Sequence, residues 1–265
     1  MNFTKMHGLG NDFVIIEAQE LKKTDLSYEK LAQKFCDRNF GVGADGLIIV
    51  NPPDVKSNCD INWRIFNSDG SEPQMCGNGI RCFARYVYEK GLIKKKKFSV
   101  CTLAGEIIPE ILDNNQVKVD MGMPKIELVD YFLDIGEKIN ITTVNMGNPH
   151  CVLFTKADSA ALARSLGPKL EVHELFPEKT NVEIVKIISK DKIRVDVWER
   201  GCGITLACGT GACASAVAAA RNNLTENKVE VELPGGTLYI EWLKDVNKIF
   251  MTGGAEFVFT GNYLN

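Results

Sequence analysis

The stretch Met75-Cys76-Gly77-Asn78-Gly79-Ile80-Arg81-Cys82 decides how the rest of the chain is read. A cysteine is followed at once by two glycines flanking a polar residue, and then by a helical pattern. Ile80, Phe83, Ala84 and Val87 recur on one helical face, and Gly91 closes the run. The pattern places Cys76 at a helix N-terminus, where backbone N–H groups lack partners and the dipole favours negative charge. Such a position lowers a thiol's pKa and makes it a usable base or nucleophile. The N–H groups of Gly77 and Asn78 can hold a substrate carboxylate.

The motif is repeated. Ala207-Cys208-Gly209-Thr210-Gly211-Ala212-Cys213 again runs Cys, Gly, a small polar residue and Gly into a helix, about 212–221. Its apolar residues lie all round, so that helix is expected to be buried. Nearly the same offset relates Gly10-Asn11-Asp12-Phe13-Val14 to Gly147-Asn148-Pro149-His150-Cys151-Val152. The repeat reads as a duplicated domain with two related halves. Residues 1–120 form the half carrying Cys76, completed by a last strand at about 254–265. Residues 121–253 form the half carrying Cys208, with the link near Met121-Gly122-Met123-Pro124.

Bulk properties exclude several classes. The chain has 265 residues and a net charge of −3, from 31 basic and 34 acidic side chains. That balance carries no signature for nucleic acid or an anionic membrane. No apolar stretch reaches the length of a membrane-spanning helix, and residues 1–20 do not read as a signal peptide. Nine cysteines, an odd number without secretory features, point to a reducing cytoplasm. The spacings of Cys76, Cys82, Cys202, Cys208 and Cys213 are not those of structural zinc sites, so no metal is expected.

Along the chain, strands alternate with few helices. Residues 27–38 read as a helix with Ser27 as N-cap. Gly41-Val42-Gly43-Ala44-Asp45-Gly46 matches a dinucleotide fingerprint by letter, but a helix precedes it and the strand Leu47-Ile48-Ile49-Val50 follows. A nucleotide loop needs the reverse order, so cofactor binding is not expected here. Trp63-Arg64-Ile65-Phe66 is a strand that delivers Asn67 just upstream of Cys76. Asp113-Asn114-Asn115 signals a hairpin. A helix is expected at about 158–166. The strand at 193–198 delivers Glu199 and Arg200 just before the second thiol. Many short strands without βαβ alternation give an α+β fold.

Two thiols at helix N-termini suit a two-base proton transfer at carbon: one sulfur removes a proton and the other returns one from the opposite face. A carboxylate on that carbon, held by the N–H groups of Gly77-Asn78 and Gly209-Thr210, gains stabilisation as negative charge builds. Glu199 suits a substrate ammonium and Arg200 a carboxylate. His150 suits either holding the ammonium or adjusting thiol ionisation. No redox cofactor or pyridoxal lysine is called for.

Gly8-Leu9-Gly10-Asn11-Asp12-Phe13-Val14, Phe66-Asn67-Ser68-Asp69-Gly70-Ser71-Glu72-Pro73-Gln74-Met75-Cys76-Gly77-Asn78-Gly79, Met146-Gly147-Asn148-Pro149-His150-Cys151-Val152 and Glu199-Arg200-Gly201 through Ala207-Cys208-Gly209-Thr210-Gly211 together resemble the diaminopimelate epimerase family, in order over essentially the whole chain. The resemblance implies a cofactor-independent isomerase that interconverts L,L- and meso-2,6-diaminopimelate for lysine and peptidoglycan precursor synthesis. It implies two pseudo-symmetric halves, each a barrel-like mixed sheet around a central helix, and a cytoplasmic homodimer. It makes Cys76 and Cys208 the acid/base pair, with Asn11, Asn67, Asn148, Asn181 and Arg200 on the substrate and Glu199 and His150 near the reacting centre. Family members often carry glutamine where this chain has Gly46, so that side-chain contact is absent. Proline racemase also uses two cysteines, but its first motif reads Cys-Gly-His-Gly. A thiol redox sensor is the non-enzymatic alternative.

Overall fold

The computed structural model describes residues 1–53 and 58–264. The chain divides into two compact units. The first comprises Met1–Val119 and Gly253–Asn265, and the second Asp120–Thr252.

In chain order the first unit starts with β1 (Asn2–Gly8), β2 (Asn11–Glu17), α1 (Tyr28–Cys36), β3 (Gly46–Asn51) and β4 (Ile61–Asn67). It continues with α2 (Gly77–Glu89), β5 (Val100–Thr102), β6 (Gly105–Ile107), β7 (Pro109–Ile111) and β8 (Val117–Asp120). The second unit holds β9 (Lys125–Asp134), β10 (Lys138–Asn145), β11 (Pro149–Phe154), α3 (Ser159–Glu171), β12 (Asn181–Ser189) and β13 (Lys192–Glu199). After these come β14 (Gly203–Ile204), α4 (Gly209–Arg221), β15 (Lys228–Leu233), β16 (Gly236–Leu243) and β17 (Lys248–Gly253). The chain then returns to the first unit as β18 (Glu256–Asn262).

The first unit is a seven-stranded mixed sheet in the order β18-β1-β2-β3-β4-β5-β6. Strand alternation sends its apolar residues to two faces. Val14, Ile16, Leu47 and Ile49 pack with Leu31 and Phe35 of α1. Ile48 and Ile65 point the other way and meet α2 at Gly79. Most of α2 is buried, Arg81 and Cys82 included, so the expected apolar face understates its burial. Lys90, Gly91 and Leu92 close it by donating backbone N–H groups to Tyr86, Tyr88 and Val87. β7 and β8 pair as the expected hairpin, turning at Asn115 with φ +62°. Cys59 and Cys101 are joined as a disulfide, with Cα atoms 5.6 Å apart, beside the parallel pairing of β4 with β5. The odd cysteine count argued for reduced thiols, and this bond departs from that reading.

In the second unit the strands follow the order β17-β16-β15-β13-β12-β11-β10-β9, with β14 added to β13. α4 touches β9 through β13, β15 and β16, so this sheet bends round a helix that is buried from Gly211 to Ala220. Small side chains let so many strands approach one helix. α3 covers β12 and β13 from the outside. It runs past Pro168 to Glu171, longer than the sequence pattern predicts. Gly167 lets the helix lie against the indole, because a Cβ there would stand 2.5 Å from Trp198. Trp198 then donates to Glu171 at 2.7 Å. β9 was not anticipated, because it is a largely exposed strand at the end of its sheet with little apolar alternation. Among the described residues no helix is long and apolar enough to cross a membrane.

Candidate active site

Each unit presents a thiol at the start of its buried helix. Cys76 is the N-cap of α2, with φ −138° and ψ 118°, and its sulfur accepts from Gly79 N–H at 3.4 Å. Cys208 is the N-cap of α4, with φ −115° and ψ 112°, and its sulfur accepts from Gly211 N–H at 3.3 Å. Serine or aspartate oxygen more usually fills this capping role. Sulfur in that place puts a nucleophile and proton carrier on the positive end of a helix.

In the first unit Asn11 starts β2, after a turn in which Leu9 and Gly10 both have positive φ. Its Oδ1 lies 3.9 Å from Cys76 Sγ and accepts from Asn78 Nδ2 at 3.2 Å. Asn67 ends β4 opposite Gly46, and its amide donates to Ser71 Oγ at 2.9 Å. The peptide groups of Gly77 and Asn78 form the first turn of α2.

In the second unit the parallel register of β11 and β12 pairs His150 with Asn181 and Val152 with Glu183. His150 and Glu183 are fully buried, and His150 Nδ1 lies 2.7 Å from Glu183 Oε1. Asn148 donates to Thr210 Oγ1 at 3.3 Å, which turns its Oδ1 toward His150 Nε2 at 3.1 Å. Thr210 Oγ1 lies 3.5 Å from Cys208 Sγ. A continuous run of polar contacts therefore leads from Glu183 through His150, Asn148 and Thr210 to the sulfur. Both nitrogens of His150 are engaged, so it reaches the thiol through Asn148 rather than by touching it.

Asn181 donates to Pro149 O at 2.9 Å and accepts from Arg200 N–H at 3.0 Å. The Arg200 guanidinium donates to Glu178 O at 3.1 Å and is exposed. Glu199 bonds the Thr205 hydroxyl. Burial pushes the Glu199 carboxyl up, against the Thr205 hydrogen bond and with the charge of Glu183. Burial likewise pushes the Cys208 thiol well up, helped by the charges of Glu199 and Glu183. This is opposite to the lowering that a helix N-terminus alone predicts, because burial outweighs the helix end and the Gly211 N–H. Gly209 begins α4, and Gly211 lies so close to Glu183 that a Cβ there would stand 2.7 Å from Oε1.

Sequence reasoning missed Glu183, Arg81 and Asp45. Glu183 sits between Val182 and Ile184 in a strand, and a carboxylate flanked by buried apolar residues was the available signal. Arg81 is fully buried in α2 and donates to Gly77 O at 3.0 Å and Gly254 O at 3.2 Å. The glycine-rich loop before β3 donates its N–H groups to the end of α1: Gly41 to Asp37 O, Val42 and Gly43 to Phe35 O, and Ala44 to Cys36 O. Those groups are thus spent within the fold rather than presented to a phosphate.

A two-unit α+β fold of this kind defines a class among solved proteins. The chain superposes on a phenazine biosynthesis protein of the PhzF family from Bacillus anthracis with TM-score 0.74, over 100 % of this chain and 99 % of that one at 18 % identity. It superposes on a probable proline racemase from Agrobacterium radiobacter with TM-score 0.71, over 99 % and 92 % of the two chains at 15 % identity. At such identities the likeness is one of fold. Sequence narrows it. The family model described as diaminopimelate epimerase matches residues 3–127 and 142–258. The chain is 48 % identical to a diaminopimelate epimerase of Heliobacterium modesticaldum, over 98 % of this chain and 99 % of the relative. It is 49 % identical to one of Desulforudis audaxviator, over 100 % and 99 %. The chain belongs to the diaminopimelate epimerase family.

Proposed function

We propose that this protein interconverts L,L- and meso-2,6-diaminopimelate by exchanging one α-proton between two sulfurs. The observation that carries the reading is full-length kinship with the family together with a cysteine capping a buried helix in each unit. One sulfur, as thiolate, takes the α-proton and becomes a thiol. The electron pair passes into the substrate carboxylate, whose charge is met by N–H groups at a helix N-terminus. The other sulfur, as thiol, gives its proton to the opposite face and becomes the thiolate. Protons and electrons balance within the substrate and two thiols, so no cofactor or metal enters the scheme. The reading requires the two units to present Cys76 and Cys208 to opposite faces of one carbon.

Asn11, Asn67, Asn148, Asn181 and Arg200 bind the substrate in this reading, with Gly77, Asn78, Gly209 and Thr210 at its reacting carboxylate. Glu199 meets the ammonium beside Cys208, and His150 with Glu183 adjusts that end. The protein works in the cytoplasm as a homodimer and serves lysine and peptidoglycan precursor synthesis.

Proton NMR of L,L-diaminopimelate in deuterated buffer tests the proposal, with reduced protein and no pyridoxal phosphate or metal added. The α-proton signal is expected to fade as the meso isomer appears, and Cys76→Ala and Cys208→Ala are each expected to abolish epimerisation. No exchange from protein shown to be reduced by thiol titration overturns the substrate assignment. Full activity in either alanine variant overturns the two-base scheme.

A further inference from the structure

The Gly41–Gly46 loop matches a nucleotide motif by letter, yet its N–H groups are spent on α1. What it delivers is Asp45. The parallel register of β2 with β3 pairs Phe13 with Gly46, which sets Asp45 beside Asn11 and Asp12. Asp45 Oδ2 accepts from Asn11 Nδ2 at 2.8 Å and from Asp12 N–H at 3.0 Å. Arg38 donates to Asp45 Oδ1 at 2.8 Å.

These contacts leave Asn11 one amide orientation. A carboxylate oxygen accepts only, so it must face the Asn11 NH2. The Asn11 oxygen is thereby turned toward Cys76 and Asn78. A second chain of contacts demands the same orientation. Arg81 donates to Asn78 Oδ1 at 3.0 Å, which turns the Asn78 NH2 onto Asn11 Oδ1 at 3.2 Å. An arginine has donors only and a carboxylate acceptors only, so the two fixed ends agree on one arrangement between them.

We propose that Asp45 is a positioning residue for proton transfer: through Asn11 it holds a carbonyl oxygen, and not an NH2, against Cys76. The helix end and Gly79 N–H favour the thiolate. A carbonyl acceptor favours the S–H form and opposes that pull. A two-base enzyme needs this balance, because each sulfur must give up a proton in one direction and hold one in the other. With Asp45 gone, one of the two holds on Asn11 is lost and only Asn78 keeps its oxygen turned to the thiol; the carbonyl is held less firmly against Cys76, which then ionises more readily and returns the proton less well. The inference rests on Cys76 being one of the two acid/base thiols. Its test reads thiol ionisation rather than turnover, so its failure is separate from failure of the epimerase assignment.

The test is the rate of iodoacetamide alkylation of Cys76 in the reduced full chain against pH, followed on the Cys76 peptide by mass spectrometry. Asp45→Ala is expected to move the midpoint of that profile down by about half a pH unit, the scale of one weak hydrogen bond. Asn11→Ala moves it the same way, and Asp45→Ala added to Asn11→Ala moves it no further, because Asp45 acts through Asn11. A merely structural role would leave the profile in place, or would add its effect in the Asn11→Ala background, and either result overturns the proposal. If Asp45→Ala does not fold, Asp45→Asn replaces it, with a smaller shift in the same direction; an unmoved midpoint there also overturns it.

Discussion

Asp12 shows how a charged residue is made structural. It lies 2.6 Å from Lys5 Nζ, and Arg38 Nη2 donates to it at 3.0 Å. Burial pushes its carboxyl up, but Lys5, Arg38 and Asp45 outweigh burial and hold it down at about 2. The folded carboxyl thus releases its proton more readily than the unfolded one, whose ordinary value is about 3.9. Its contribution to stability is full above about pH 4 and is lost as pH falls through about 2. Asp12→Asn is expected to cost about 2 kcal/mol at neutral pH. The penalty should shrink on acidification, and urea unfolding at pH 7 and at about pH 3 checks it; an equal penalty at both would show that the ion pairs are not its source. At this scale the two thiols were legible, because cysteine followed by Gly-x-Gly writes an N-cap into the letters themselves. Glu183 and Arg81 were not, because burial of a charge depends on partners brought by other segments: His150 for the first, the Gly254 carbonyl for the second.

Elements were legible where burial was one-sided or complete. The alternation of β4 and the all-apolar surface of α4 survive into the structure, whereas exposed β9 left little pattern to read. Ser27 begins α1 as expected, but its side chain makes no capping bond to the helix backbone. The Cys59–Cys101 disulfide lies outside what a cysteine count can reveal, since pairing is set by the approach of β5 to β4. It closes a separation of 42 residues that includes α2. Restricting the unfolded chain over such a loop is worth about 2 to 4 kcal/mol. Cys59→Ser, measured under non-reducing conditions, is expected to lower the stability of the first unit by that amount. Adding a strong reductant to the unsubstituted protein should reproduce the loss, and no change in either case would mean that the bond constrains nothing.

For the whole molecule, a division into two units was legible because short motifs recur in the same order. The sheet orders were not, since strands that pair in space lie far apart in sequence. The last strand, β18, was expected to complete the first half, but its partner was not legible. It pairs antiparallel with β1 from Asn2↔Asn262 to His7↔Glu256 and sits at the edge of the first unit's sheet. Truncation after Gly253 is expected to speed amide hydrogen exchange in β1 while leaving Val182 to Val185 in β12 protected. Equal acceleration in both strands would show that the two units do not stand as separate cooperative bodies.

The return of β18 also sets an order of birth. During synthesis the second unit leaves the ribosome with every strand of its β9 to β17 order already made, and its helices with them. The first unit, begun earlier, waits with β1 as an open edge until Glu256–Asn262 emerges. That edge carries Phe3 and Met6 on a strand with unpaired backbone groups, the kind of surface that recruits stray strands. The half of the molecule translated first is thus the one finished last, and a nascent chain has most to gain from chaperone cover during that wait.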